Sequence, residues 1–285
     1  MSMGEREHFV KLTRVTKIFG KGSVDEVAAL AGIDLGVAPE DFVTIIGSNG
    51  AGKTTLLNVI AGVFPPEWEG QIVIDGTDTT HMSEHLCARY VGRVHQDPNL
   101  GTCGKLTIEE NLALALLRAQ RRTLRPASSR KRRELFRSAL APLKLGLEDR
   151  LDAVVSTLSG GQRQAVALTM ATISRPALLL LDEHVANLDP KTAQIVLDLT
   201  EMVVERERLT TLMITHNMQM ALRYGNRLIM MHRGKIIVDL GGEDKKRLTI
   251  QDLIDVFGRA AGEQLVDEAI LLSRSELREP DLNRK

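Results

Sequence analysis

Gly47-Ser48-Asn49-Gly50-Ala51-Gly52-Lys53-Thr54 is the stretch whose reading decides the fold. Ahead of it, Phe42 to Ile46 is a short apolar run of the kind a buried strand presents. Behind it, Lys53 to Ala61 reads as a helix that Gly62 closes. A glycine-rich loop ending in Gly-Lys-Thr between a strand and a helix is the phosphate-loop pattern, filled here at every fixed position. A polyphosphate needs several N–H donors converging on its oxygens, and glycines let the backbone fold round the anion without side chains in the way. The helix N-terminus turns its partial positive end towards the phosphates. Lys53 adds a full charge for the β and γ phosphates, the Thr54 hydroxyl suits Mg²⁺, and Thr55 offers a second donor. ATP and Mg²⁺ are therefore the expected ligands.

Outward from this loop, strands and helices alternate. Val10 and Leu12, then Ile33, Leu35 and Val37, alternate with polar or small residues as half-buried strands do. Gln71 to Asp75 reads as a further strand turning at Asp75-Gly76. The middle is helical: Thr107 and Glu110 form a capping box ahead of Leu112 to Leu117, and Ser129 to Leu145 is a second helical stretch bent near Pro142. From Ser159 the pattern is helix, strand, helix, strand. A helix ends before Pro176, Leu178 to Leu181 is a buried strand, and Asp189-Pro190 opens another helix. Thr210 to Thr215 is a strand, and Arg227 to Met231 pairs with Lys235 to Val238 across Arg233-Gly234. Alternating units of this kind predict an α/β fold on a parallel, doubly covered sheet, with a helical block at about 100–155 inserted as a subdomain. Glu263 to Leu272 could form a last helix, and 263–285 reads as a C-terminal helix or tail.

Leu178-Leu179-Leu180-Leu181-Asp182-Glu183 delivers two carboxylates at the C-terminal end of an apolar strand, the edge where open α/β sheets hold ligands. Neighbouring side chains on a strand point opposite ways, so the two divide the work. Asp182 is assigned to Mg²⁺ and Glu183 to the attacking water. Leu158-Ser159-Gly160-Gly161-Gln162 opens a helix with a serine cap and two glycines, which taken alone is either an anion site or a plain cap.

Composition bounds the rest. The 285 residues suit one large domain or one with an inserted subdomain, and 43% hydrophobic content supplies a core. With Lys plus Arg at 37 and Asp plus Glu at 37, dominant non-specific nucleic-acid binding is not expected. Cys87 and Cys103 make no disulfide framework and fit a reducing cytosol. Met1 to Glu7 shows no apolar signal region, and no run approaches the roughly 18 apolar residues of a membrane span. Work at a membrane would need another chain as anchor.

In this order and spacing the motifs resemble the ATP-binding cassette family, the nucleotide-binding subunits of ABC transporters, over Phe9 to Phe257. The resemblance implies a P-loop NTPase (RecA-like) core with an N-terminal antiparallel β subdomain, the ATPase unit being 8–262. It implies further roles. Phe19 matches the aromatic that stacks on adenine. Gln96 matches the glutamine that touches Mg²⁺ and senses the γ-phosphate, and His216 the histidine that contacts that phosphate. Ser159, Gly160, Gly161 and Gln162 match the signature that grips the ATP held by a second protomer. Asp189, in Ala186-Asn187-Leu188-Asp189, matches the loop that couples the two sites. Two protomers, identical or paralogous, would meet head to tail and drive integral membrane permease subunits from the cytoplasmic face. The Asp182-Glu183-His184 run with Leu188-Asp189-Pro190-Lys191-Thr192 is similar to a bacterial importer subgroup. Its ATPase serves a permease and an extracytoplasmic substrate-binding protein for small solutes, aromatic amino acids among them. Two departures stand out: His184 where the family has proline, and Glu40-Asp41 where it has Gly-Glu.

Other readings stay open at this point. A non-transport cassette could clamp ribosomes or DNA, though such relatives carry two cassettes or a long coiled coil, and no sustained heptads occur here. A degenerate ATP-holding module would lack Glu183 and His216. Arg118 to Arg137 holds nine basic residues against Glu134, either a solvated face or a contact for lipid headgroups or a membrane subunit. His81, His85 and Cys87 lack a fourth ligand at metal spacing and read as a surface helix. Met213, Met218, Met220, Met230 and Met231 read as core filler.

Overall fold

Five consecutive buried residues, Leu178–Asp182, form the strand around which the chain is organised. Leu178 and Leu180 pack into one apolar cluster and Leu179 and Leu181 into another, so both faces of the strand are covered. That is the reason for an unbroken leucine run where a half-exposed strand would alternate. The computed structural model describes residues 9–119 and 129–261.

In chain order the strands and helices are β1 (Val10–Phe19), β2 (Val27–Val37), β3 (Phe42–Gly47), α1 (Lys53–Ile60), β4 (Gln71–Ile74), β5 (Thr77–Asp78), α2 (Glu84–Cys87), β6 (Val91–Val94), α3 (Pro98–Gly101), α4 (Ile108–Leu116), α5 (Arg130–Leu140), α6 (Gly160–Thr172), β7 (Leu178–Asp182), α7 (Pro190–Glu207), β8 (Thr210–Ile214), α8 (Met218–Arg223), β9 (Arg227–His232), β10 (Lys235–Gly241), α9 (Gly242–Arg247) and α10 (Ile250–Ala261). The main sheet runs β10-β9-β3-β8-β7-β6. Its inner pairings are parallel and β10 folds back antiparallel on β9. A second sheet, β2-β1-β4-β5, is antiparallel throughout. The family's two-sheet plan is thus present.

One face of the main sheet packs on α1 through Leu56, Leu57, Val59 and Ile60. The other face packs on α6 and α7 through Ala165, Val166, Leu168, Val196 and Leu197. The described residues between β6 and α6 carry helices α3, α4 and α5, and their Ile108, Leu112, Phe136, Leu140 and Leu151 belong to the same cluster as α6. Thr107 and Glu110 form the capping box read from the sequence, side chain to backbone in both directions. The stretch from Ser129 is shorter than read. It is α-helical to Leu140, then tightens to a 3₁₀ turn at Ala141–Leu143, where Pro142 has no N–H for the ladder. Of the methionines, Met213, Met218, Met230 and Met231 are buried in the core. The expected helix at 263–272, the tail, and 120–128 of the basic stretch lie outside the described residues.

Candidate nucleotide-binding site

The phosphate loop lies between β3 and α1. Gly47 has φ 154°, and a Cβ there would stand 2.2 Å from the Met231 carbonyl oxygen. Gly52 has φ 98°, and its Cβ would meet the Ala29 oxygen at 2.3 Å. Any side chain at either position would displace a neighbouring strand from the loop. Ser48, Ala51 and Lys53 are buried, while Asn49, Gly50 and Thr54 are exposed. The Lys53 ammonium donates to the Gly47 carbonyl at 2.7 Å and the Ser48 carbonyl at 3.0 Å, holding the loop in its curled form. Burial pulls the Lys53 pKa below the usual lysine value, opposed by the charges of Glu183 and Asp182.

These residues border a cleft of about 320 Å³. Phe19, Asn49, Gly50, Ala51, Gly52, Lys53, Thr54, Thr55, Glu183 and His216 surround it, joined by Val27 and Ala29 from β2. Phe19 sits at the mouth with its ring edge-to-face on Phe64, centroids 5.4 Å apart, and the Lys17 ammonium 5.7 Å from its centroid. Phe19 is 36% exposed, so the ring keeps open surface for a stacking partner.

The paired carboxylates diverge as strand geometry requires. Asp182 ends β7, buried, with Oδ1 accepting from the Thr54 hydroxyl at 3.4 Å. A carboxylate and a hydroxyl oxygen side by side at the cleft form the hard-oxygen donor set that Mg²⁺ prefers, so the site fits that ion. Glu183 turns out of the strand in the left-handed region, φ 48°, a conformation costing about 1–3 kcal/mol for a residue of this kind and typical of functional positions. The turn brings its carboxylate against His216 Nε2.

His184 replaces the family's proline without leaving the core. It is fully buried, its Nε2 is 3.1 Å from the Thr200 hydroxyl of α7, and burial holds its pKa down to about 4, so it is neutral. The Thr200 hydroxyl donates to the Val196 carbonyl at 2.8 Å, which leaves Nε2–H as donor to Thr200. At the second departure, Asp41 accepts from Asn226 at 2.8 Å and caps the start of β3 by accepting from the Ala38 N–H.

Gly47, Ser48 and Asp182 adjoin the cleft without lining it, and three further groups of sequence-assigned residues are not gathered into it. Ser159 caps α6, with the Gln162 side chain returning the bond in a second capping box. Gly160 is exposed, and Gly161 is buried against Thr192 and Val196 of α7. Asp189 caps α7, and its bonds from Thr192 lower its pKa. Gln96 is exposed just past β6, where its carbonyl accepts from Asn187 at 3.5 Å. None of these residues lines the phosphate cleft.

Sequence reasoning missed Arg93. Its Nη2 donates to Asp182 Oδ2 at 3.0 Å and its Nη1 to Asn58 Oδ1 at 2.6 Å. The available signal was a charged residue inside a short buried strand, Val91-Gly92-Arg93-Val94, next to a motif.

A phosphate loop and paired carboxylates on one end of a parallel sheet define a nucleotide-hydrolysing P-loop protein. The ABC transporter family model matches residues 30–186. A tyrosine transport ATP-binding protein of Clostridioides difficile (strain R20291) is 44% identical over 225 residues, 79% of this chain and 89% of that protein. A methionine import ATP-binding protein of Rhizobium johnstonii is 36% identical over 81% of this chain and 60% of that protein. Among solved structures, the dimeric post-hydrolysis state of the ATP-binding cassette MJ0796, bound to ADP and Pi, superposes with a TM-score of 0.69. That cassette is 30% identical, with 81% of this chain and 98% of that chain covered. The chain belongs to the ABC transporter family, as an ATP-binding subunit that hydrolyses ATP.

Proposed function

We propose that the chain is the ATPase of an importer for a small solute, an aromatic amino acid being the first candidate. It would work as a head-to-tail dimer on the cytoplasmic face of a permease fed by an extracytoplasmic binding protein. The observation that supports the dimer is the separation of parts: the phosphate cleft and the Ser159–Gln162 helix end both look outward and do not meet within one chain. A second copy turned head to tail would bring them together. The solute reading rests on the 44% identity to the tyrosine transport protein, over most of both chains.

In this reading Phe19 stacks on adenine, and residues 47–52 with Lys53, Thr54 and Thr55 hold the phosphates. Thr54 and Asp182 would hold Mg²⁺, which would supply neutralisation of phosphate charge. Glu183 takes the proton side of the attacking water, and His216, already against Glu183, orients that carboxylate and faces the γ-phosphate. Gln96 and Asp189 sit on the two stretches of chain that approach each other through Asn187, so a change at one site passes to the other. The ATPase unit is 8–262, and the helical part at about 100–155 is the portion offered to the permease.

The test is to purify the tagged chain from gently solubilised membranes and reconstitute the co-purifying membrane proteins in vesicles. ATP-driven movement of labelled tyrosine, phenylalanine or tryptophan from the permease's extracytoplasmic side is expected. Movement in the opposite direction would replace import with export. Co-purification of ribosomes or DNA-repair proteins without any membrane protein would replace transport altogether.

A further inference from the structure

Arg93 joins three elements of the nucleotide site. It stands on β6, three residues before Gln96. Its guanidinium reaches Asn58 on α1, the helix that begins at Lys53, and Asp182 at the end of β7. The side chain is 14% exposed, and its Nε is buried with no hydrogen-bond partner among the described residues. Burying an arginine with one donor unmet is costly, and an apolar pair in place of Arg93 and Asp182 together would fill the same space more cheaply, whereas removing Arg93 alone would strand the Asp182 carboxylate. The position is therefore chosen for charge rather than for filling.

The Asp182 carboxylate is divided between two neighbours. Oδ2 accepts from Arg93, while Oδ1 faces the Thr54 hydroxyl, the side where the cation donors converge. We propose that Arg93 is a built-in counter-cation of Asp182: it holds the carboxylate in place when no divalent ion is bound and lowers the affinity of the nucleotide site for that ion. The inference rests on the reading of Asp182 and Thr54 as the cation-binding pair. A guanidinium sharing one carboxylate with a divalent ion repels it and withdraws part of the negative charge that attracts it. Because Arg93 is a fixed part of the sheet, this opposition is present throughout the cycle. Its consequence is a cation that is readily exchanged along with the nucleotide. Arg93 touches neither substrate nor reacting atoms, so its place is that of a positioning residue.

The experiment uses the full chain with a non-hydrolysable ATP analogue and follows Mn²⁺ binding by electron paramagnetic resonance. Arg93→Met and Arg93→Gln are expected to tighten Mn²⁺ on the order of tenfold, the effect of removing one screened positive charge adjacent to the site. Arg93→Lys keeps the charge and is expected to stay within about twofold of the parent. In the metal-free, nucleotide-free protein, Arg93→Met should lower the thermal midpoint, and the loss should shrink when Asp182→Asn is also present. Should Arg93→Met fail to fold, Arg93→Gln carries the comparison. Unchanged or weaker Mn²⁺ binding in the neutral variants overturns the proposal. If instead Asp182→Asn binds Mn²⁺ as the parent does, the cation-site reading itself falls, and this inference with it.

Discussion

Gly161→Ala offers a sharp test of how the helix that carries the signature residues is seated. A Cβ at Gly161 would lie 2.4 Å from Thr192 Cγ2, and the next neighbours are 3.8 and 3.9 Å away. Contact with one methyl group is therefore the whole steric problem. Separating α6 from α7 enough to relieve it costs roughly 1–3 kcal/mol by the experience of overpacked interiors. Against that, exchanging glycine for alanine in a helix gains up to about 1 kcal/mol. The net expectation is a loss of about 1 kcal/mol for the single variant. Thr192→Ala removes the offending methyl and keeps the backbone N–H that Asp189 accepts. In that background Gly161→Ala should be neutral or stabilising, giving a coupling of about 1–3 kcal/mol between the positions. Urea denaturation of the parent, both single variants and the double variant measures it. A coupling below about 0.5 kcal/mol, the level at which separate sites simply add, would refute the packing argument.

Glu183→Gln should leave ATP binding intact and abolish turnover, trapping an ATP-bound dimer that size-exclusion chromatography detects; turnover at the parental rate would remove Glu183 from its role. Phe19→Ala should weaken binding of a fluorescent ATP analogue by about 1–3 kcal/mol, the usual worth of a base–aromatic stack, and Phe64→Ala should weaken it less. Lys245 is 3% exposed, and its ammonium donates to the Tyr224 carbonyl, to the Gly225 carbonyl at 3.0 Å and to the Thr44 hydroxyl at 3.3 Å. Burial lowers its pKa to about 8 from 10.5, so above pH 8 the unfolded chain holds more proton than the folded one, and this group's contribution to stability rises from about pH 8 to 10.5. Parent minus Lys245→Met stability, measured in urea at pH 7.5 and 9.5, should therefore increase with pH; a flat or falling difference would contradict the assignment.

The parts of the fold that were legible are those written in local chemistry. The phosphate loop, the leucine strand β7, and the caps at Thr107 and Ser159 each need neighbouring residues to act together, so spacing alone carries them. Arg93 and Asp182 lie 89 positions apart, and nothing in either neighbourhood announces the pair. Glu183 gave no warning of its left-handed backbone, because the conformation is imposed by the turn into α7 rather than by a glycine or asparagine. The helices α9 and α10 went unread because they follow an edge hairpin, α9 being only 6 residues and mostly charged and α10 depending on distant partners for its seat. Their seat is made by Lys245 reaching Thr44, some 200 residues away, and by Leu253 entering a small core with Ile46 and Leu228. The phosphate-loop positions were legible as a set, and Asn49 to Thr55 come together at one cleft. The signature residues were legible as a motif, and the resemblance already assigned them to the ATP of a second protomer; what appears only in three dimensions is the seat of Gly161 against Thr192 of α7.

The head-to-tail dimer is tested most directly by mixing two disabled chains, each carrying Glu183→Gln so that bound ATP persists. One has Lys53→Ala, a failed phosphate loop with an intact signature; the other has Ser159→Arg, an intact loop with a failed signature. A head-to-tail pair of unlike chains rebuilds one complete site from the Ser159→Arg chain's cleft and the Lys53→Ala chain's signature. Retained ATP, measured by filter binding, should be absent from each chain alone and return on mixing to about a quarter of the Glu183→Gln parent, as statistical pairing requires. A mixture that retains no more ATP than its components would contradict the composite site, as would a Ser159→Arg chain that retains ATP unaided.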